Sequence, residues 1–479
     1  MDWNTKIAQE LIKALPFEPN DEQRELINKL SAFIKAFRTP EIFVLKGYAG
    51  TGKTSVIGAL VKSLGNFNIK TCLLAPTGRA AKVLSKHSEK TATTIHREIY
   101  VPIVKSGGYP GFSLKDNKRR NTLFIVDEAS MLAAENNSMS NEWQAQSLLD
   151  DLIEYVFSGD NCKLIFIGDT AQLPPVGSSL SPALNPEFLK STYWMPVFSF
   201  ELKQVSRQAL DSGILFNATE LRQNINNNIP EFILHNNDTD FVAITGQELE
   251  ERLNDTIQQY GIDQNLVITY SNKRANLFNE QIRRRILWFE NQIDAGDKLM
   301  VVKNNYFWLP EESDIGFIAN GDTLEVLSTG RFEELYGLHF LNSEVSMIDY
   351  SNAPNFETKI LLDTLHLETP SLPQAVHHKL FELILDDYQD IPEKRKRLSM
   401  VMKNPYYNAL QVKFAYAVTC HKAQGGQWDV VYIDPGYLSP EKIDVNYLRW
   451  LYTAVTRATK QVFLVNFPNE LLENPVEFW

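Results

Sequence analysis

The sequence predicts an α/β fold with two doubly wound parallel sheets, a small β-hairpin insertion and an inserted small β-barrel. In both halves of the chain, short apolar runs alternate with amphipathic helical segments, which is typical of strands that pair in parallel. Polar motifs directly follow several of these runs, where such sheets place their ligand sites. Between residues 296 and 403 the alternation is replaced by a series of strand-like segments, which indicates a separate unit.

The first domain is predicted over residues 1–190. The helical pattern of EQRELINKLSAFIKAF stops before Pro40, and EIFVLKG then reads as a buried strand leading into a glycine-rich turn. Three more buried strands are predicted in KTCLLAP, NTLFIVDEAS and CKLIFIGD, and the helices TSVIGALVKSL and TGRAAKVLSKH precede the second and third strands of the domain. At about residues 99–120, two short apolar runs flank Gly107, Gly108 and Pro110, and this pattern predicts an inserted hairpin.

The second domain is predicted over residues 191–295 and 404–479. NLVITYSNKRANLFNEQIRRRI indicates a strand followed by a helix, and VKFAYAVT, VVYID and QVFLV continue the α/β pattern near the end of the chain. The segment between, residues 296–403, contains KLMVVKNN, DTLEVLST, LHFLNSEVSMIDY and TKILLDTL, which we interpret as antiparallel strands of a small barrel. The helical HHKLFELILDDYQ follows them.

Length and charge limit the classes of protein that fit. The 479 residues predict three or four structural units. The net charge of −12, from 47 basic and 59 acidic side chains, is unfavourable for overall attraction to nucleic acid. Nucleic acid would therefore have to bind in one groove that local clusters of basic residues make positive, since net charge says little about local sites. Such clusters lie at residues 115–120, 283–285 and 394–397.

Cysteine content and hydropathy favour a cytoplasmic location. Cys72, Cys162 and Cys420 are isolated, which fits a reducing compartment and disfavours a disulfide scaffold or zinc site. The first fifteen residues include Asp2 and Glu10 without a long apolar core, so we expect no signal peptide. No apolar stretch approaches the ~18 residues that span a bilayer, so we expect no membrane association.

The clearest motif is a phosphate-binding loop. GYAGTGKT, from Gly47 to Thr54, follows a predicted strand and opens a predicted helix, which is the context that the motif requires. The glycines allow backbone N–H groups to surround phosphate oxygens, and the helix N-terminus favours negative charge. Lys53 is predicted to reach the β- and γ-phosphates, and the Thr54 hydroxyl is predicted to bind Mg²⁺.

Two further motifs supply groups for hydrolysis. Asp127 and Glu128 end a buried strand; the first is suited to holding Mg²⁺ and the second to polarising the attacking water. Gly168, Asp169 and Gln172 end the next strand, and Gln172 is predicted to contact both the γ-phosphate and the water.

These motifs, in their order along the chain, resemble those of superfamily 1B DNA helicases of the RecD/Dda type. APTGRAAKVL resembles motif Ia, TTIH motif Ib, DEAS motif II and GDTAQLPPVG motif III. LKQVSRQ lies in the place of motif IV, while AVTCHKAQGGQWDVV resembles motif V and LYTAVTRA motif VI. With the phosphate-binding loop, eight motifs cover most of the chain. In motif V, Gly426 and Gln427 replace the family's Ser-Glu pair, so that position carries no charge.

The resemblance implies two RecA-like domains with ATP between them and movement 5′→3′ on single-stranded DNA. It implies that Arg207 and Arg457 act as arginine fingers beside Lys53, Glu128 and Gln172. It also implies that Gln23 reads adenine and that the hairpin separates strands against the barrel. The nucleotide site that it implies comprises Gln23, Gly47, Gly50, Thr51, Gly52, Lys53, Thr54, Ser55 and Gly425, with Thr54 and Asp127 at Mg²⁺.

A nucleic-acid track is predicted from phosphate-binding and stacking residues. The start of the motif Ia helix offers backbone N–H groups, and the other motifs offer hydroxyl and imidazole groups. Tyr109 and Phe112 in the hairpin are candidates either to stack on a terminal base pair or to pack the hairpin itself. The predicted track comprises Pro76, Thr77, Gly78, Arg79, Thr94, His96, Tyr109, Phe112, Thr419 and His421.

Several functions fit these features. The first is an ATP-dependent DNA helicase that acts as a monomer on single strands and duplex junctions, with replication or repair proteins as possible partners. The second is an NTPase switch, or a nucleic-acid-stimulated motor subunit of a larger repair, recombination or conjugation complex. A metabolic P-loop kinase would lack the arginine motifs around Arg207 and Arg457. The sequence leaves an RNA helicase open.

Overall fold

The computed structural model describes residues 3–35, 39–104, 110–134, 147–178, 180–205, 212–309, 315–350, 353–438 and 440–473. The α-helices are α1 (Trp3–Ala14), α2 (Asp21–Ile34), α3 (Lys53–Leu64), α4 (Gly78–Ser88), α5 (Ile95–Ile99), α6 (Leu148–Ser158), α7 (Pro186–Tyr193), α8 (Gly213–Asn227), α9 (Leu249–Tyr260), α10 (Asn272–Gln281), α11 (Gln374–Asp386), α12 (Lys394–Met402), α13 (Cys420–Ala423) and α14 (Val445–Val455).

The strands form two parallel sheets, a closed barrel and a hairpin. They are β1 (Ile42–Gly47), β2 (Lys70–Ala75), β3 (Ala92–Thr94), β4 (Tyr100–Val104), β5 (Pro110–Leu114), β6 (Thr122–Val126), β7 (Lys163–Gly168), β8 (Val197–Leu202), β9 (Phe241–Ile244), β10 (Asn265–Thr269), β11 (Lys298–Val301), β12 (Thr323–Leu335), β13 (Leu338–Met347), β14 (Phe356–Leu361), β15 (Leu410–Phe414), β16 (Ala417–Thr419), β17 (Trp428–Asp434) and β18 (Ala458–Val465).

The first sheet has the order β3-β2-β6-β7-β1-β8, and all of its pairs are parallel. β6 and β7 are buried along their whole length, because helices cover both faces. Helices α1 to α3 pack on one face and α5 and α6 on the other. This arrangement confirms the predicted fold class for the first half of the chain.

The second sheet has the order β16-β10-β17-β18-β9 and is also parallel. Helices α8 and α14 cover one face. The apolar residues of the other face form one continuous core with the barrel, joining Val267 and Phe463 of the sheet to Leu299 and Val326 of the barrel. The barrel and the second sheet therefore share a core.

The barrel consists of β11 to β15, and the hairpin of β4 and β5. Most barrel pairs are antiparallel as predicted, but β14 and β15 are parallel, since α11 and α12 lie between them in the chain. The hairpin pairs Tyr100 with Leu114, which confirms the predicted insertion.

Two strands belong to a different unit from the one to which the predicted boundaries assign their residues. The prediction began the second domain at residue 191, yet β8 pairs with β1 at the edge of the first sheet. It ended the insertion at residue 403, yet β15 closes the barrel against β11. We therefore propose that the first domain runs to Leu202 and that the inserted barrel runs from Lys298 to Phe414.

A buried polar cluster lies where the chain enters and leaves the barrel. The Arg283 guanidinium donates to both oxygens of Asp297, at 2.8 Å from Nε and 2.7 Å from Nη2. The Tyr416 hydroxyl donates to Asp297 Oδ1 at 3.0 Å. Asp297 precedes β11 and Tyr416 follows β15, so both connections are tied to the end of the helical segment that carries Arg283.

Candidate nucleotide and nucleic-acid sites

The phosphate-binding loop connects β1 to α3 in the predicted strand–loop–helix order. Gly50 and Gly52 adopt φ values of 74° and 85°, which only glycine takes without strain, so the backbone can curl around a ligand. The Lys53 ammonium lies inside this curl and donates to the carbonyls of Gly47 and Tyr48, at 2.6 and 2.8 Å. These carbonyls hold the lysine where the loop would surround a phosphate.

Gln23 lies against the loop, although it is 28 residues away in sequence. It completes a capping box with Asn20 at the start of α2, and its Nε2 donates to the Thr51 carbonyl at 3.1 Å. Its amide keeps one N–H and one oxygen lone pair for a further partner. Gln23 is therefore positioned next to the nucleotide site, where the resemblance expected it.

The two carboxylates at the end of β6 face the same cavity because the backbone turns between them. Glu128 has a φ of 51°, a left-handed conformation that interrupts the alternation of side chains between the two faces of the strand. The Asp127 carboxylate accepts from the Glu128 N–H at 2.9 Å. Burial, and then the Glu128 charge, raises the pKa of Asp127 to about 6.

Glu128, Gln172 and Arg457 meet across the cleft between the two parallel sheets. Arg457 Nη1 lies 3.6 Å from Glu128 Oε1. With its amide oriented to satisfy both neighbours, Gln172 donates to Glu128 Oε2 at 3.3 Å and accepts from Arg457 Nη2 at 2.9 Å. Arg457 is 4% exposed and is also bound to the Thr453 and Gly426 carbonyls, so its guanidinium is held in place.

These residues line a cavity of about 340 Å³ between the domains. Motifs from both halves of the chain contribute to the lining. Among the predicted site residues, the lining includes Gly50, Gly52, Lys53, Thr54, Ser55, Asp127, Glu128, Gln172, Gly425 and Arg457. Gln427 lines it as well. Arg207 lies outside the described residues.

The described structure also contains site residues that were not predicted, on one face of α14. Tyr452 bonds to Asp169 and to the phosphate-binding loop, and Thr453 and Arg449 bond to the backbone that follows Asp169. A sequence signal for this face exists. Residues 449, 452 and 453 follow the i, i+3, i+4 spacing that places side chains together on a helix.

The predicted track residues follow β2, β3 and β16, which are strands whose carboxyl ends lie at one edge of each sheet. Thr77 caps α4 and Thr94 caps α5, each accepting from a backbone N–H three residues ahead. Thr419 precedes α13. Pro76 directly precedes Thr77, and His421 lies two residues after Thr419. Each sheet therefore has a threonine at the start of a helix that follows one of these strands, although the Thr419 side chain makes no cap hydrogen bond.

Other predicted track residues have protein partners. The Arg79 guanidinium stacks on the Trp428 ring at 4.0 Å, and burial lowers its pKa. Burial also lowers the pKa of His96 to about 4, so its imidazole is neutral at pH 7. Gly78 lies so close to the barrel that a β-carbon would come within 2.6 Å of Asp322 Oδ1.

In the hairpin, the Phe112 ring contacts barrel aromatics. It lies edge-on to Tyr306, with ring centroids 4.6 Å apart, and 6.3 Å from Phe317. The prediction left open whether Phe112 packs or stacks on bases, and this contact favours packing against the barrel. Tyr109 lies outside the described residues.

Comparison with known proteins gives two family matches, one in each half. A model described as an AAA domain matches residues 30–178, and a UvrD-like helicase C-terminal domain matches residues 414–465. The first range contains the phosphate-binding loop and both carboxylates, and the second contains motifs V and VI. The second match is to a helicase domain, and the eight motifs in order resemble those of superfamily 1B.

Relatives of the chain include named helicases. The ATP-dependent RecD2 DNA helicase of Deinococcus radiodurans is 29% identical over 41% of this chain and 23% of its own length. The ATP-dependent DNA helicase dda of phage T4 is 26% identical over 57% of this chain and 59% of its own length. An uncharacterized mimivirus protein, R530, is 23% identical over 92% of this chain and 99% of its own length. The chain thus spans less than two thirds of the named helicases.

None of the helices in the described residues has both the length and the apolar character needed to span a bilayer. Its three cysteines are buried and free. No group of three or more His, Cys, Asp or Glu side chains in the described ranges is arranged to hold a metal by itself.

Proposed function

We propose that this chain is an ATP-dependent DNA helicase that moves 5′→3′ on single-stranded DNA and separates duplexes. The observation that carries the proposal is the contact of Arg457 with Glu128 and Gln172 across the nucleotide cavity. A group from the second domain thereby completes a hydrolytic site on the first. ATP turnover would then require the cleft to close, which is how hydrolysis is coupled to movement between domains.

Each residue of the site has a proposed role in phosphoryl transfer. Lys53 and the loop N–H groups would bind the β- and γ-phosphates. Glu128 would accept a proton from the attacking water, which Gln172 would orient. Arg457 would stabilise the charge that develops on the transferred phosphoryl group, and we propose the same role for Arg207.

Mg²⁺ is the cation proposed for the site. The Asp127 carboxylate and Thr54 hydroxyl supply oxygen ligands, which Mg²⁺ prefers, and both line the cavity. The raised pKa of Asp127 fits a carboxylate whose charge a cation would stabilise. When bound there with ATP, Mg²⁺ would neutralise charge between the β- and γ-phosphates.

Single-stranded DNA is the proposed track ligand. Thr77, Thr94, Thr419 and His421 would contact its backbone along the carboxyl edges of the two sheets. A duplex junction would meet the hairpin of β4 and β5, which lies directly after α5 and against the barrel. We further propose a monomer that works in the cytoplasm, with replication or repair proteins as partners.

The alternative is a motor subunit that hydrolyses ATP on single strands but unwinds only within a larger repair, recombination or conjugation complex. The structure offers no observation that favours it over the helicase. Both predict ATP hydrolysis stimulated by single strands, and only the helicase predicts unwinding by the isolated chain.

The test is strand displacement on duplexes with 5′ or 3′ tails, made of DNA and of RNA. We expect ATP-dependent displacement of 5′-tailed DNA, and none by Lys53→Ala, which removes the ammonium at the β- and γ-phosphates. Displacement only from 3′-tailed DNA would reverse the proposed direction. ATP hydrolysis stimulated by single-stranded DNA without displacement would favour the motor subunit. No stimulation by any single strand would contradict both.

A further inference from the structure

A tyrosine of the second domain reaches into the phosphate-binding loop. The Tyr452 hydroxyl, on α14, accepts a hydrogen bond from the Ala49 N–H at 3.0 Å and donates one to Asp169 Oδ2 at 2.6 Å. Ala49 is in the loop between β1 and α3, and Asp169 follows β7. One hydroxyl therefore joins two segments of the first domain to the last helix of the second.

Burial makes these two hydrogen bonds costly to lose. Tyr452 is 1% exposed and Asp169 is 2% exposed. A buried carboxylate without partners is strongly unfavourable, and the Tyr452 hydroxyl and the Ala171 N–H, at 2.9 Å, both donate to Asp169. Separation of α14 from the first domain would remove the tyrosine partner.

Neighbouring side chains of α14 bind the same segment. The Thr453 hydroxyl accepts from the Leu173 N–H at 2.9 Å. Arg449 donates to the carbonyl of Thr170 and, at 3.4 Å, to that of Gln172. One face of α14 thus holds the backbone on both sides of Gln172, which contacts Glu128 and Arg457.

We propose that Tyr452 is a positioning residue whose hydroxyl stabilises the closed nucleotide cleft and so sets the affinity for ATP when DNA is bound. This inference rests on the proposed function. The hydroxyl bonds to the backbone N–H of Ala49, in the phosphate-binding loop, and to Asp169, and neither residue's side chain is among those proposed to act in phosphoryl transfer. Its bonds across the cleft exist only while the domains are together, so they raise the population of the closed state.

The direct test is Tyr452→Phe, which removes the hydroxyl and keeps the buried ring. We expect the KM for ATP to rise about 10-fold to 100-fold at saturating single-stranded DNA, the range for losing a buried hydrogen bond to a charged group. We expect kcat to stay within about threefold, because the residues assigned to phosphoryl transfer remain. The dissociation constant of a fluorescent, non-hydrolysable ATP analogue should rise by a similar factor with DNA present, and much less without it.

A matched control lies on the same helix. Tyr447 is also buried, but its hydroxyl has no hydrogen-bond partner in the described structure. Tyr447→Phe should leave KM, kcat and analogue affinity unchanged, which separates loss of a hydroxyl in α14 from loss of the cross-cleft bonds. Thermal melts of both variants would show that each is folded.

The outcomes separate this inference from the proposed function. If wild-type hydrolysis responds to single-stranded DNA and Tyr452→Phe retains the wild-type KM and analogue affinity, the positioning role is wrong and the helicase proposal stands. A fall in kcat with unchanged KM would place the hydroxyl in the chemical step and overturn the inference. If wild-type hydrolysis does not respond to single strands, the proposed function itself fails.

Discussion

Arg97 and Asp322 form an ion pair between the first domain and the barrel, with Nη2 of the arginine 3.1 Å from Oδ2 of the aspartate. Their side chains are 7% and 1% exposed. The Tyr350 hydroxyl donates to the other carboxylate oxygen at 3.1 Å, and its ring lies 4.0 Å from the arginine guanidinium. The pair fixes the barrel beside Gly78, at the start of the predicted DNA track.

The first prediction concerns the pH dependence of this contact. Burial raises the pKa of Asp322 to about 6, although Arg97 opposes the shift. The folded state then binds the proton more tightly than the unfolded state, so protonation of Asp322 adds to the free energy of unfolding. This contribution is present at pH 4 and is lost as the pH rises to about 6. The Tm of the wild type minus that of Asp322→Asn should therefore fall between pH 4 and 6.5, and then level off. A difference that grows with pH would mean that the charged pair outweighs burial.

The second prediction concerns the general base. Glu128→Gln should bind ATP normally but hydrolyse it about 10² to 10⁴ times more slowly, because the amide cannot accept the proton of the attacking water. Single-turnover hydrolysis with saturating single-stranded DNA is the measurement. Glu89→Gln is a suitable control, since Glu89 also has a left-handed backbone, with a φ of 54°, and among the described residues it pairs only with the exposed Lys62. A normal rate in Glu128→Gln would exclude it as the base.

The third prediction concerns the charge supplied across the cleft. Arg457→Ala should reduce kcat by about 10³ to 10⁵, the range for arginine fingers, with a much smaller loss of nucleotide affinity. Arg457→Lys should recover little, because an ammonium cannot keep the forked contacts to Gln172 and the Gly426 carbonyl. If turnover stimulated by DNA is unchanged in Arg457→Ala, the residue does not act in the reaction.

The fourth prediction separates unwinding from ATP hydrolysis. Phe112→Ala removes the hairpin ring that packs on Tyr306, and should slow separation of a 5′-tailed duplex while leaving hydrolysis stimulated by single strands near normal. Translocation, measured as streptavidin displacement from a single strand, should also persist. None of the hairpin residues that the structure describes lines the nucleotide cavity, so we expect the two activities to be separable there.

A control for that variant is Phe332→Ala, since Phe332 is 53% exposed on β12 and stacks only on His339 in the described structure. It should retain unwinding. A parallel loss of hydrolysis, translocation and unwinding in Phe112→Ala would show that the ring is needed for folding of the hairpin region.

The sequence predicted the central strands because both faces of a parallel sheet are buried, which leaves unbroken apolar runs such as TLFIV and KLIFIG. The predicted boundaries did not place β8 in the first sheet. Its partner β1 lies about 150 residues earlier in the chain, and a local sequence pattern does not indicate such a distant pairing. VKFAYAVT reads as one strand, yet it divides between the barrel and the second sheet at Ala415 and Tyr416, without glycine or proline to mark the break.

Residues of the site were predictable to different degrees. Lys53 and Thr54 follow from the spacing of one local motif. The meeting of Glu128 with Arg457 was expected only through the family resemblance, because the two are 329 positions apart in the numbering. Arg283 was taken as part of a basic cluster, but it is buried with Asp297, and local composition does not distinguish a solvated arginine from a paired one.

The polar cluster at the root of the barrel ties the barrel to the helical segment that carries Arg283. Asp297 is bonded to the residues on both sides of it, and the barrel shares its core with the second sheet. Under the proposed function, the barrel would move with the second domain when the cleft closes and would shift against Arg97 of the first domain. A duplex that resists separation at the hairpin would then oppose closure of the cleft. A more stable duplex would therefore slow ATP turnover.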